Sequence, residues 1–383
     1  MLSMAMRNTC LLTIAVLAAT ASLTACGSST GGAETISFNS ASCGGNWTLA
    51  KPGWHTFELR NADDVGGEID LIDPATSGIY AEVDQFGPST TQTMSLDVGS
   101  GRYAFRCLFE DTDPTTGRTV TVPGHAKGST ATVPVTFNDL VGPAKRYQAY
   151  AEAGLKTLVG ETGTLASAVK RGNLTAARRD WLPAHLTYER LGAAYDAFGK
   201  FDDEIDGRAD ALGVNNPKWT GFYRLEYGLW HGQPASELTP YASRLAASVR
   251  SLLATWPTME VPLIDIGLRT HEILENALEF QLTGHDDYGS GSTLATTLAN
   301  IVGTRELLSL LHPLLASRYP GLPSVYTWLT RLQTLLEAEH RPDGTWVPVS
   351  QLPQSTRAQI DAACGQALEE LAPIASIAEP RNT

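Results

Sequence analysis

Beyond its N-terminal stretch the 383-residue chain has no apolar run of about 18 residues, so nothing later in it is expected to span a membrane. Positive charge is in short supply: 28 Lys and Arg stand against 41 Asp and Glu, a formal net charge of −13. That balance disfavours nucleic acid as a partner and suits cations or simple solubility. Cysteine is scarce, with five in all. The zinc-hydrolase pattern H-E-x-x-H is missing from the helical pattern His271-Glu272-Ile273-Leu274-Glu275, which lacks the second histidine, so zinc hydrolysis is hard to build here. The length itself predicts about two or three domains.

What is present starts with MRNTCLLTIAVLAATASLTACGSSTGG, where Arg7 precedes an apolar run and then small residues. That is the pattern of a secretory signal. It closes on Leu23-Thr24-Ala25-Cys26, which resembles a bacterial lipobox. The reading predicts a leader over 1–25, cleavage before Cys26, a lipid on the Cys26 thiol and a Gly/Ser-rich tether over 26–33. The mature protein is then anchored to the extracytoplasmic face of a membrane. Cys10 leaves with the leader, so Cys43, Cys107 and Cys364 remain alongside Cys26. Outside the cytoplasm Cys43–Cys107 is an obvious pairing, with Cys364 left over, although the spacing leaves the connectivity open.

From residue 34 to 140 the text reads as short strands. TISFNS, HTFELRNA, TQTMSLDV and YAFRCLF alternate or are rich in β-formers, and Pro52-Gly53, Gly99-Ser100-Gly101, Pro114 and Gly117 separate them. A small β-sandwich is expected, of a pattern that resembles a cupredoxin-like domain. From 141 to 383 apolar residues recur at helical spacing between Gly and Pro breaks, which predicts an all-α domain large enough for one or two bundles. Pro183, inside the segment LTAARRDWLPAHLTYERLGAAYDAFG, is expected to kink or restart its helix.

Four helical clusters carry candidate chemistry. His185 and Glu189 are i,i+4 on one face, as are His271 and Glu275; Tyr223 and Glu226 are i,i+3; and FDDEIDGR supplies Asp202, Asp203, Glu204 and Asp206. Of the last set, Asp202, Asp203 and Glu204 are expected to face water, while Ile205 turns Asp206 toward the core. Imidazole and carboxylate projecting inward from several helices can build a metal site. Oxygen-rich sites favour hard cations, and added imidazole suits iron or zinc. Glu226 lies among Phe222, Leu225 and Leu229, where a buried carboxylate needs a partner.

Three blocks in order, DWLPAHLTYERLGAAYDAFGKFDDEIDGR, WTGFYRLEYGLWHG and THEILENALEFQLTGHDDYGSGSTLATTLANIVGTRELLSLL, together with the lipobox, resemble the EfeO family of iron-uptake lipoproteins, also called imelysin-like. The resemblance implies two packed four-helix bundles after the β-domain, an iron site (ferrous or ferric) between them, and delivery to a membrane iron permease beside a secreted haem peroxidase. It implies a binder and not an enzyme. Carried over residue by residue, it assigns Glu189, Asp206, Glu226 and Glu272 or Glu275 as metal ligands. Tyr223 stands where the family has histidine, and Gly192 where it has a further glutamate, with His185 and His271 as replacement imidazoles. In the β-domain the resemblance implies copper or ferric iron near Cys43, Cys107, Glu68 and Asp70, with Phe105 in place of a methionine. The alternative is a non-metal interaction lipoprotein on the same scaffold.

Overall fold

The computed structural model describes residues 35–210 and 213–381; the leader, Cys26 and the tether lie outside the described residues. Among the described residues nine strands form a two-sheet sandwich: β1 (Thr35–Asn39), β2 (Ser42–Cys43), β3 (Gly53–Asn61), β4 (Gly67–Asp73), β5 (Gly78–Phe86), β6 (Thr91–Val98), β7 (Gly101–Phe109), β8 (Thr115–Thr116) and β9 (Val120–Val122). One sheet has the order β2-β1-β3-β6 and the other β5-β4-β7-β8, with β9 also on β7. β1 runs parallel to β3, and the other described pairings are antiparallel. Alternation aims Phe38, Phe57, Leu59, Met94, Leu96 and Phe105 at the space between the sheets. Phe105 meets Phe38 at 5.0 Å and Trp47 at 4.7 Å between ring centroids, both edge to face. It is a core aromatic in the position where the resemblance expects a metal-binding methionine.

Cys43 on β2 is bonded to Cys107 on β7, so the bridge ties one sheet to the other across 64 residues of chain. This corrects the copper reading: both thiols are consumed, Met94 is buried in the core, and the His55 ring is hydrogen-bonded to the Lys51 carbonyl at 2.8 Å. Closing so long a loop stabilises the domain by up to about 4 kcal/mol through the unfolded state. Alkylating the denatured chain without reductant should label Cys364 among these three cysteines, and all three after reduction. Label on Cys43 or Cys107 before reduction would contradict the bridge.

After the sandwich the chain crosses to a helical domain, with ten α-helices among the described residues: α1 (Phe137–Lys170), α2 (Leu174–Glu189), α3 (Tyr195–Phe198), α4 (Lys200–Asp206), α5 (Phe222–Trp230), α6 (Ala235–Thr255), α7 (Leu263–Asn276), α8 (Thr293–Leu315), α9 (Leu322–Glu337) and α10 (Gln354–Ile377). α1 starts where it does because Thr136 and Asp139 form a capping box that satisfies the first free N–H groups. α1, α2, α5 and α6 pack as one four-helix bundle and α7 to α10 as a second, joined where α2 meets α8 and α1 meets α7. A single continuous apolar core runs through both, with Tyr147, Trp181 and Trp256 fully buried. None of the described helices is long and apolar enough to cross a membrane.

Pro183 does not break its helix; α2 runs unbroken from Leu174 to Glu189. The break comes after Glu189, where Gly192–Ala194 tightens into a 3₁₀ turn. The effect is to leave Glu189 at the end of a rigid helix, facing the cleft between the bundles.

Candidate metal site

α2 and the end of α4 bring three of the expected residues together. His185 and Glu189 share a face one turn apart, and Asp206 is the last residue of α4. The His185 Nε2 lies 3.0 Å from Glu189 Oε1 and 3.0 Å from Asp206 Oδ1. All three side chains are sheltered, at 1%, 4% and 12% exposure. Aromatic rings wall the imidazole: Trp181 at 4.8 Å, Tyr223 at 5.1 Å and Phe222 at 5.2 Å between centroids. From α8, the Asn300 amide turns so that Nδ2 donates to Glu189 O at 3.1 Å and Glu189 Oε2 at 3.0 Å.

Electrostatically the cluster holds a proton. Burial alone would lower the His185 pKa, but Asp206 and Glu189 outweigh it and push it up to about 10. Burial holds Asp206 well above the usual carboxylate range, against the pull of His185. One N–H at Nε2 serves two carboxylates while His185 Nδ1 is buried with no partner. A cation could take the place of that shared proton, with one imidazole nitrogen and two carboxylate oxygens as donors.

Beside the cluster opens a cavity of about 400 Å³, lined by Glu189, Asp202, Asp206, Tyr195, Arg269 and Gln281 among others. Asp202 does not simply face water. It accepts a hydrogen bond from Tyr188, and burial lifts it to about 6. Glu204 likewise accepts from Ser248 at 2.7 Å.

Tyr223 and Glu226 stand on the next helix, α5. The Tyr223 hydroxyl donates to Asp286 Oδ2 at 3.3 Å. Burial, then the charges of Asp206, Glu189, Asp286 and Glu226, hold this phenol well above its ordinary range. Glu226 Oε1 accepts from the backbone of Tyr288 at 3.2 Å and Ser290 at 2.9 Å, leaving Oε2 buried without a partner. Burial raises Glu226 to about 7. Glu226 thus braces the loop after α7, while Tyr223 faces the cluster.

His271 and Glu275 are not part of this arrangement. They pair with each other at 3.6 Å on the side of α7 that faces away, with Glu275 59% exposed. α7 turns Arg269, Ile273 and Asn276 to the cavity. At about 100° per residue, His271 and Glu275 then fall on the opposite side. Glu272, the alternative acidic residue there, is held by Arg269 at 2.9 Å.

Asp286 is the residue that sequence reasoning missed. It accepts from Tyr223 and, at 2.9 Å, from Gln281 Nε2; Arg208 stands 3.9 Å away, and burial lifts it to about 6. Its signal was the run GHDDYGSGS, a Gly-rich loop between helices, where binding groups concentrate. Gln281 ends a π-helical turn, Ala277–Gln281, a distortion frequent at functional sites. Asp286 Oδ1 and Gln281 Oε1, like His185 Nδ1, are buried without partners. Such atoms point to a site whose hydrogen bonding is completed by something other than protein.

The family model for imelysin, peptidase family M75, matches residues 143–373. The chain belongs to the imelysin family. Its imelysin domain contains every residue of the cluster. The chain is 27% identical over 282 residues to the iron uptake system component EfeO of Yersinia pestis, covering 73% of each. It is 26% identical over 269 residues to EfeO of Escherichia coli strain K12, covering 70% of this chain and 71% of that one. It is 29% identical over 185 residues to the iron uptake system component EfeM of Pseudomonas syringae pv. syringae, covering 48% of this chain and 64% of that one.

Proposed function

We propose that this protein binds iron at His185, Glu189 and Asp206, with Tyr223 beside them, as the metal-holding component of an iron-uptake system. It works outside the cytoplasm, anchored through lipid on Cys26, and passes the ion to a membrane permease. The observation that carries the reading is the His185 imidazole held at 3.0 Å by two sheltered carboxylates from separate helices. The names of the EfeO and EfeM relatives support iron as the cargo. We read the protein as a binder: the donors converge on one cation position, and the peptidase family name is matched by no H-E-x-x-H motif in the sequence.

Titration of the metal-free protein with ferrous iron under anaerobic conditions, and with ferric iron as a chelate, should give one bound equivalent. Because His185 carries its proton up to about pH 10 and burial also favours the protonated form of Asp206, each ion bound at the cluster displaces at least one proton. Affinity should therefore rise at least about tenfold per pH unit between pH 6 and 8. Binding with no proton release would place the ion elsewhere, and no binding of either ion would favour an interaction protein on the same scaffold. For the anchor, Cys26→Ala should release the protein from membranes or block its processing; an unchanged membrane fraction and mass would refute lipidation.

A further inference from the structure

The two domains meet through little. Among the described elements no strand packs broadly against a helix. A cavity of about 390 Å³ lies between Ile79–Glu82 on one side and Ser376, Ile377 and Arg381 on the other. The connecting segment is strapped to both: Thr132 exchanges backbone hydrogen bonds with Ile79 of β5 at 2.8 and 2.9 Å, and Arg318, just past α8, donates to Val133 O at 2.7 Å. A thin contact of this kind leaves relative domain motion as the default.

One residue opposes that motion. After α10 the chain buries Ala378 against Gly267 of α7, then runs through Pro380 to Arg381. The Arg381 backbone N–H donates to Val135 O at 2.8 Å. Its guanidinium reaches Glu68 Oε2 on β4 at 3.3 Å and Glu82 Oε1 on β5 at 3.1 Å. Among the described residues these are the ion pairs that join the sandwich to the helical domain. Arg381 is only 14% exposed and Glu68 15%. The strand pair has a reason to want a cation: Glu68, Asp70 and Glu82 offer oxygens within 4.8 Å of one another. Arg106, directly opposite on β7, serves Asp70 alone, through Oδ2. Glu68 and Glu82 are left for a charge from outside the sandwich.

We propose that Arg381 is a clasp: its guanidinium, seated between Glu68 and Glu82, fixes how the β-sandwich sits on the helical domain, and its release lets the sandwich swing on the connecting segment. The guanidinium reaches two carboxylates from neighbouring strands at once while its backbone is pinned to Val135, which fixes the direction of the contact.

The test uses the full chain carrying Cys10→Ser and Cys26→Ser, with spin labels on cysteines introduced at the exposed positions Thr93 and Ser251; native Cys364 is buried and its thiol pushed up to about 12, so it stays unlabelled. The unaltered pair should give one narrow distance distribution. Arg381→Glu should broaden it by about twofold or more and lengthen its mean. Arg381→Gln, which keeps size and packing, should broaden it less. Adding Glu82→Arg to Arg381→Glu should restore the narrow distribution. Unchanged distributions in both Arg381 variants would overturn the clasp, and so would a swap that fails to narrow the distance while the protein keeps its native melting temperature.

Discussion

Replacing His185 with leucine should destabilise the metal-free protein by about 3–5 kcal/mol in chemical denaturation, the cost of leaving buried charge without its partner. Leucine is close to the imidazole in volume, so packing against Trp181 and Phe222 is largely kept. What disappears is the cation between Glu189 and Asp206. The pH dependence carries the proof. A histidine whose folded pKa is raised to about 10 contributes stability that is complete below its unfolded value of about 6.5 and is lost as pH climbs through the folded value. The gap between wild type and His185→Leu should be widest near pH 6 and close toward pH 10. A loss below about 1 kcal/mol at pH 6 to 7 would mean that the two carboxylates are neutralised without His185.

The second large effect is optical. Ferric iron added to the protein should produce a visible phenolate-to-iron charge-transfer band, and Tyr223→Phe should abolish it. In the metal-free protein Tyr223 keeps its proton, because burial and four neighbouring carboxylates all oppose a phenolate. A trivalent cation at the cluster reverses the sign of that field and draws the phenol into ionising. Phenolate oxygen is a hard donor, so the site should favour ferric over ferrous iron and hold zinc poorly. Tyr223→His should lose the band and bind divalent ions about ten- to a hundredfold more tightly. If wild type binds ferric iron with no such band, Tyr223 is a packing residue whose hydroxyl serves Asp286 alone.

The parts of the molecule that could be read from the sequence are those set by local periodicity. β1, β3, β6 and β7 alternate, and the structure contains each of them. β4 does not show this alternation, because its buried run includes Asp70, a residue that reads as a turn or a solvated face unless Arg106 stands opposite it. That pairing depends on the register between strands 36 residues apart in sequence, which no local pattern carries. α6 is harder to bound from sequence, with Pro240 in its second turn interrupting an otherwise helical spacing. In the site, the i,i+4 rule found His185–Glu189 and His271–Glu275 with equal ease. Spacing says that two residues share a face but not which way the face looks. Only the packing of α7 on α8 and α10 turns His271 outward. Asp286 was beyond such reasoning, because a loop residue takes its direction from the chain on either side of it.

Gly192 leaves a constraint on how this site can change further. A Cβ placed there would sit 3.0 Å from Cγ1 and 3.2 Å from Cδ1 of Ile273, closer than side chains normally pack. A side chain at position 192 therefore requires Ile273 to give by a few tenths of an ångström. Ile273→Ala opens that space outright, so Gly192→Glu is expected to cost less stability in the Ile273→Ala background than alone. The two positions are coupled in that sense: what residue 273 concedes sets the cost of a further donor at residue 192.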